Sequence, residues 1–362
     1  MSIYLGLMSG TSMDGIDAAL VDVSTHHLLG SLTKPYTPEV RDLLQSLINQ
    51  ATTTLANIWQ LHTLVGKEFA NAANDLLDQY SVKRESITAI GSHGQTIRHE
   101  PLATIPYTIQ LGCPHTISSL TGMTVVADFR TRDMVVGGQG APFAPLYHQA
   151  LWEHSKQAMA IVNLGGVANI TFLGPDMPAY GYDLGPGNCL MDDWVQHHLS
   201  TNYDHNGDFA AQGTLIPALL ETLLSDDYFH LPLPKSVCKS YFSPEWLQPK
   251  LTADFSPKDV QATLLAFSAQ TIVNAVHRHA VPVQRLALCG GGAHNQAMLT
   301  RIQKLLPEVA VTSTQALGID PDFLEAMMMA WLADQALNGK HLNLTHITGA
   351  AKPIILGAIY QA

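Results

Sequence analysis

Asp183 is the residue whose type and setting best suit acid–base chemistry. It ends a short apolar segment and is followed by Gly185-Pro186-Gly187, so its carboxylate is expected where a strand ends. Ligand crevices of α/β folds lie at the carboxyl ends of strands, and a carboxylate there can accept a proton from water or a hydroxyl group. Capping of the following helix is the alternative role for this aspartate.

A Gly/Ser/Thr-rich segment between two apolar runs has the features of a phosphate-binding hairpin tip. Its glycines and small hydroxyl side chains let backbone N–H groups approach a polyphosphate closely. Its carboxylates, Asp14 and Asp17, could hold a hydrated Mg²⁺ carried by that phosphate. An ordinary polar hairpin turn is the alternative, because such turns are common. The candidate residues are Gly10, Thr11, Ser12, Met13, Asp14, Gly15, Ile16 and Asp17.

Two other glycine turns follow apolar segments. Gly165-Gly166 separates segments 158–164 and 167–173, which repeats the strand–tip–strand pattern of the first hairpin. Gly290-Gly291-Gly292 follows the apolar segment 285–289, and glycines at such a turn allow flat contact with a ring or a ribose. A tight turn without a ligand is the alternative. The sequence G-x-x-x-x-G-K-[ST] does not occur, which argues against a P-loop enzyme.

Three charged or titratable side chains are candidate ligands for a small polar substrate. Arg130 lies in a Gly-, Arg- and Asp-rich segment and suits bidentate carboxylate binding, although most arginines lie on the surface. Glu325 is a single carboxylate in an apolar helix, where it reaches a cleft, packs against a partner or faces solvent. His93 is either a substrate contact or a hydrogen-bonded core histidine.

The periodicity predicts a strand hairpin near the start of the chain and a repeat of the same pattern further along it. The first half has a strand hairpin over 2–23, and the second half repeats that hairpin before a third strand that ends in Asp183. We expect 127–142 to be a loop between domains and 200–255 to be irregular. Further predicted strands are 28–36, 87–92, 104–127 in part, 179–184 and 285–289; predicted helices are 54–80, 143–153, 188–199, 256–279 and those starting at Thr37-Pro38, Ser243-Pro244, Ser256-Pro257 and Asp320-Pro321.

The composition predicts a globular protein of two domains or one large domain. Apolar residues make up 46% of the 362 residues and charged residues 14%, which allows a sizeable core. The net charge of −11, without a dense basic run, argues against nucleic acid and anionic membranes as partners. The four cysteines lie far apart and no H-E-x-x-H occurs, so no metal held by protein side chains is expected. Without a signal peptide or a long apolar stretch, a cytoplasmic protein is expected.

Seven stretches of the sequence form a characteristic ordered set: SGTSMDGID (9–17), GSHGQTIRH (91–99), ADFRTRDMVVGGQGAP (127–142), VNLGGVANIT (162–171), YDLGPGNCLMDDW (182–194), LCGGGAHN (288–295) and GIDPDFLEAMMMAWLA (318–333). In this order they resemble the anhydro-N-acetylmuramic acid kinase family of the acetate-and-sugar-kinase/heat-shock-chaperone/actin superfamily. The resemblance implies an α/β protein of two ribonuclease-H-like domains with the active site in the interdomain cleft. The expected domains are 1–128 with 350–362, and 129–349.

The resemblance also implies a reaction. ATP with Mg²⁺ would phosphorylate O6 of 1,6-anhydro-N-acetylmuramic acid while Asp183 activates the water that opens the anhydro bridge, as in peptidoglycan recycling. The tip residues 10–17 and Gly165-Gly166 would hold the phosphates, Gly290-Gly291-Gly292 would face the adenosine, and His93, Arg130 and Glu325 would contact the sugar. The family suggests a homodimer. A simple sugar-hydroxyl kinase and a nucleotide-driven switch of the actin or chaperone type remain alternatives.

Overall fold

The computed structural model describes residues 2–10, 13, 15–49, 52–175, 177–233, 235–237 and 241–362. The strands are β1 (Ile3–Ser9), β2 (Ile16–Asp22), β3 (His27–Lys34), β4 (Ile87–Glu100), β5 (Tyr107–Leu111), β6 (Val125–Ala127), β7 (Met159–Leu164), β8 (Val167–Gly174), β9 (Met177–Pro186), β10 (Arg285–Cys289), β11 (Ala310–Ser313) and β12 (Ala358–Tyr360). The helices are α1 (Pro38–Asn49), α2 (Leu55–Gln79), α3 (Pro114–Thr121), α4 (Phe129–Met134), α5 (Ala144–Leu151), α6 (Cys189–Leu199), α7 (Pro217–Leu224), α8 (Pro244–Leu247), α9 (Pro257–Arg278), α10 (Gln296–Leu305) and α11 (Leu324–Leu337).

The chain forms two compact units. The first contains Met1–Tyr147 and Phe323–Ala362, and the second contains His148–Asp322. Each is built on its own sheet, ordered β12-β6-β4-β1-β2-β3 with β5 on β4 in the first unit, and β11-β10-β7-β8-β9 in the second. Both sheets have the same plan: a three-stranded antiparallel meander whose first strand also pairs in parallel with a later strand. This plan confirms the expected α/β fold of two ribonuclease-H-like domains.

Helices cover both faces of the β1 region, which explains its nearly uninterrupted burial. Leu5 and Leu7 point toward one face and pack in a core that includes residues of α2. Gly6 points toward the other face, where an added Cβ would collide with the Ala326 carbonyl of α11. Gly91 of β4 is crowded in the same way by the Met329 carbonyl. Backbone-to-backbone approach at these two glycines seats α11 on the first sheet.

The two compact units do not have the boundaries of the expected domains, which were 1–128 with 350–362, and 129–349. Segment 129–142 is not simply a loop between domains, because it contains α4 and is tied to the C-terminal segment of its own unit. The buried Asp133 accepts hydrogen bonds from Gly140 N at 2.7 Å and from Thr348 Oγ1 at 2.8 Å, and Gln139 N donates to Thr348 O at 2.9 Å. Burial raises the pKa of Asp133.

The structure confirms some of the predicted helix starts and corrects others. Thr37-Pro38, Ser243-Pro244 and Ser256-Pro257 do start helices, and Ser256 Oγ accepts from Asp259 N at 3.3 Å. Asp320-Pro321 does not, because a turn follows it and α11 begins at Leu324. Segment 200–255 contains the short helices α7 and α8, and β4 is longer than predicted. Within the described residues, no helix is both long and apolar enough to cross a membrane.

Candidate functional site

The β1–β2 hairpin tip is held by a side chain from β4. Gln95 is fully buried, and its Nε2 donates to Gly10 O at 3.1 Å. Ser9 Oγ lies 2.8 Å from both Gln95 Oε1 and Gly15 O. Met13 N donates to Gly10 O at 3.2 Å, and a Cβ on Gly15 would lie 2.9 Å from a neighbouring carbonyl oxygen. The described part of the tip is thus a preorganised glycine turn.

The remaining predicted tip residues have different settings. Ile16 is fully buried in the core of the first unit, so only its backbone can face a ligand. Asp17 is half-buried on β2, and its carboxylate accepts from Thr33 Oγ1 at 2.7 Å. Thr11, Ser12 and Asp14 lie outside the described residues.

Gln95→Leu should loosen this tip, because it removes the donor to Gly10 O and leaves buried polar groups without their partner. We expect the first unit to lose about 1–3 kcal/mol of unfolding free energy and phosphate-ligand binding to weaken about 10-fold. Denaturant unfolding and nucleotide titration measure the two effects. Tyr36→Phe is the matched control, since it removes the 3.2 Å bond from Tyr36 OH to Gln95 Oε1 and keeps the donor of Gln95 to Gly10 O. Unchanged nucleotide affinity in Gln95→Leu would show that the tip is not a phosphate site.

His93, Arg130, Glu325 and Asp17 interact with one another within the first unit. Arg130 Nε donates to His93 Nε2 at 3.0 Å, and His93 Nδ1 lies 2.8 Å from Gly94 O. Burial, with a contribution from Arg130, lowers the pKa of His93 to about 3. Burial raises the pKa of Glu325; Asp17 acts in the same direction and Arg130 opposes it. The structure therefore brings together the three residues predicted to contact substrate and one carboxylate of the predicted phosphate tip.

The raised pKa of Glu325 predicts a pH-dependent stability difference. An unfolded glutamate titrates at about pH 4.3, and the folded protein holds the Glu325 proton to higher pH. This stabilising contribution is complete below the unfolded pKa and is lost as pH rises through the folded pKa. Glu325→Gln should therefore be more stable than the native chain at neutral pH, with a margin that shrinks on acidification.

Denaturant midpoints measured across the acidic-to-neutral range test this expectation. Glu39→Gln, at an exposed position of α1, is the control for the same chemical change. Parallel pH profiles for Glu325→Gln and the native chain would contradict a desolvated carboxyl group at this position.

The β7–β8 tip in the second unit packs against the start of α6. Gly165 O accepts from Asn188 N at 2.8 Å, and Gly166 O accepts from Gly187 N at 2.9 Å. A Cβ on Gly187 would collide with Gly165 O, so the turn needs glycine for this close approach. Gly165 and Gly166 are themselves half-exposed.

The Gly290-Gly291-Gly292 turn lies beside that tip. Gly290 has φ +74° and donates to Pro321 O at 2.8 Å. A Cβ on Gly292 would lie 2.5 Å from Leu164 Cβ, at the end of β7, whereas a Cβ on the exposed Gly291 would meet nothing within 4 Å. The structure thus brings both predicted glycine turns of the second unit together and leaves open space over Gly291.

Asp183 lies inside β9, opposite Asn169 of β8, and not at the strand's end as predicted. Its half-buried carboxylate accepts through Oδ2 from Val237 N at 3.0 Å, and its backbone N donates to Lys235 O at 3.0 Å. Tyr228 OH donates to Asp183 O at 2.7 Å. Segment 228–237 therefore orients this residue. Helix capping is not its role, because α6 begins several residues later.

The vicinity of Asp183 also contains a cation. Lys235 Nζ donates to Tyr228 O at 2.8 Å and lies 4.2 Å from the centroid of the Tyr228 ring. Burial, with repulsion from Arg278, lowers the pKa of Lys235 to about 8. Sequence reasoning missed Tyr228, Lys235 and Val237, because nothing in their spacing links them to β9.

One family of known proteins matches this chain along almost its whole length. The family model described as anhydro-N-acetylmuramic acid kinase matches residues 2–362. A Legionella pneumophila protein of that name is 54% identical over 360 residues, covering 99% of this chain and 98% of its own. A Xylella fastidiosa protein of the same name is 46% identical over 367 residues, covering 99% and 96%. Among solved structures, component A of (R)-2-hydroxyglutaryl-CoA dehydratase from Acidaminococcus fermentans aligns with a TM-score of 0.49 and 10% identity, covering 91% and 97%.

Proposed function

The chain belongs to the anhydro-N-acetylmuramic acid kinase family, and from this premise we propose that it converts 1,6-anhydro-N-acetylmuramic acid, ATP and water into N-acetylmuramic acid 6-phosphate and ADP. The observation that best supports this proposal is Asp183: a half-exposed carboxylate on β9 whose orientation is set by a hydrogen bond from the backbone N–H of Val237. Such a group can act as a general base. The product would enter the recycling of peptidoglycan sugars.

In the proposed reaction, Asp183 takes a proton from the attacking water. The water oxygen bonds to C1 as the C1–O6 bond breaks, and O6 bonds to the γ-phosphorus as ADP leaves. Inverting glycosidases use one carboxylate to activate water and a second acid to protonate the leaving oxygen. Here the phosphoryl group takes the place of that second proton, so ring opening and phosphorylation are coupled.

The glycine turns fit the role of phosphate and nucleoside contacts. Phosphoryl transfer needs positioning and charge neutralisation more than covalent chemistry. We assign phosphate contacts to the backbone of the β1–β2 tip and of Gly165-Gly166, and the adenosine side to Gly291, over which a Cβ would find open space. Asp17 is the described carboxylate suited to Mg²⁺, which when bound would neutralise phosphate charge.

Arg130 and Glu325 are the proposed sugar contacts. N-acetylmuramic acid carries a lactyl carboxylate, which an arginine binds well. Burial raises the pKa of Glu325, which favours a protonated carboxyl group that can donate a hydrogen bond to a sugar oxygen. Together these contacts would distinguish a carboxylated bicyclic sugar from a neutral hexose.

Product analysis tests the proposal. The protein is incubated with ATP, Mg²⁺ and either the anhydro sugar, N-acetylmuramic acid or glucose, and products are separated by mass spectrometry. We expect a 6-phosphorylated product and stoichiometric ADP with the anhydro sugar, and little ADP with the other two. Equal or faster phosphorylation of N-acetylmuramic acid would instead indicate a simple hydroxyl kinase, and ADP release independent of any sugar would indicate a nucleotide switch.

A further inference from the structure

Strand β4 has an irregularity at His93 and Gly94. In its pairing with β1, Leu7 lies opposite Ser92 but Ser9 lies opposite Gln95, so β4 contains one extra residue. Gly94 has φ +75°, and a Cβ there would lie 2.5 Å from the nearest carbonyl oxygen. Bulges of this kind re-aim side chains and are common beside active sites. This one directs the imidazole of His93 toward Arg130.

The two hydrogen bonds of His93 fix its tautomer. Gly94 O can only accept, so Nδ1, at 2.8 Å, must carry the proton. Arg130 Nε always carries a proton, so Nε2, at 3.0 Å, must be the unprotonated acceptor. A neutral imidazole has one donor and one acceptor, and both are used within the protein. His93 is also only 7% exposed, so its ring nitrogens are not placed to bind a substrate.

We propose that His93 is a positioning residue and not a sugar contact: held as the neutral Nδ1–H tautomer, it accepts the Nε–H of Arg130 and fixes the plane of the guanidinium for a substrate carboxylate. The proposal rests on the function proposed above and revises the role expected for His93. The guanidinium group of an arginine is rigid and planar, so a hydrogen bond that holds its Nε–H also fixes the direction of its other N–H donors.

The electrostatic surroundings agree with a neutral His93. Besides Arg130, the group facing it is His99, which lies further along β4. Burial and Arg130 lower the pKa of His99 to about 4, so this second imidazole is also neutral near pH 7. Glu325 is an acid within electrostatic reach of Arg130, and burial keeps its carboxyl group protonated to higher pH. Charging His93 would turn its acceptor into a donor and break the bond to Arg130.

NMR of the full-length protein with ¹⁵N-labelled histidine tests the tautomer without any substrate. The His93 signals are assigned by their loss in His93→Gln. Between about pH 5.5 and 7.5, we expect a protonated Nδ1 and an unprotonated Nε2, with the Nε2 signal shifting in Arg130→Gln. An Nε2–H tautomer or an imidazolium in that range would overturn the proposal, and this result is independent of the enzyme's true substrate.

Ligand binding tests the positioning role. His93→Leu should weaken binding of the anhydro sugar about 10-fold or more and leave nucleotide affinity unchanged. His93→Gln should recover much of the loss, because its Oε1 can accept from Arg130 Nε. Binding of 1,6-anhydro-N-acetylglucosamine, which lacks the lactyl carboxylate, should be nearly insensitive to both substitutions. Equal losses for both sugars, or no recovery in His93→Gln, would contradict a role exerted through Arg130.

Discussion

Asp183→Asn should lower kcat by about 10³-fold or more, because positioned general bases contribute roughly 10²–10⁴-fold and no other group is proposed to take the water proton. The substitution preserves the shape of the side chain. Its amide oxygen can still accept from Val237 N, so the strand β9 and segment 228–237 should keep their arrangement. Nucleotide affinity and thermal stability should therefore change little. Steady-state rates with the anhydro sugar, together with nucleotide titration, measure the separation of chemistry from binding.

A matched control is Asp75→Asn. Asp75 is an exposed carboxylate of α2 that pairs with Lys34, and exposed ion pairs contribute little to stability. We expect native activity in this variant. If the Asp183→Asn protein kept more than about a tenth of the native kcat, Asp183 would not be the general base.

Gly6→Ala should strongly destabilise the first unit. The added methyl group would occupy the position of the Ala326 carbonyl, and because the clashing atoms are backbone atoms, β1 or α11 would have to shift. Overpacking of a core typically costs 1–3 kcal/mol, and a backbone-to-backbone clash should cost at least about 3 kcal/mol. Because Glu325 precedes Ala326 on α11, weakened binding of the anhydro sugar should accompany the loss of stability. Calorimetric unfolding and sugar titration measure both effects.

Gly291→Ala is the contrasting variant for stability. A Cβ at this exposed position would meet nothing within 4 Å, so the fold should accept it. Its unfolding profile should match that of the native chain. Any effect of the substitution is expected in nucleotide binding, because Gly291 is assigned to the adenosine side. A Gly6→Ala protein as stable as Gly291→Ala would mean that α11 is not held against β1 by close backbone contact.

Local patterns were sufficient to predict the parts of the fold that depend on neighbours in sequence. The two hairpins, the long helix α2 and the capped start of α9 each show apolar periodicity or a hydroxyl–proline pair. The glycine turns were also found, since glycine has few other reasons to occur in pairs or triplets after an apolar strand. The family resemblance added the pairing of these local elements into two similar domains.

Long-range packing could not be predicted in the same way. The packing of α11 on the first unit depends on Gly6 and Gly91. These two positions require glycine because the backbone of α11, more than 200 residues later in the sequence, lies against them. The Gly185-Pro186 pair led to a predicted strand end that is too early, because β9 continues to Pro186. Segment 228–237 has no periodicity, so its hydrogen bonds to Asp183 left no signal in the sequence.

The most direct test of the proposed reaction is the position at which an oxygen atom from water enters the sugar product. The protein is incubated with ATP, Mg²⁺ and 1,6-anhydro-N-acetylmuramic acid in ¹⁸O-water, and the product is fragmented by mass spectrometry before its anomeric oxygen can exchange with solvent. Attack of an activated water on C1 predicts one ¹⁸O atom at C1 and none in the 6-phosphate group. Label in the phosphate, or an anomeric oxygen without label, would contradict the coupling of bridge opening to phosphoryl transfer.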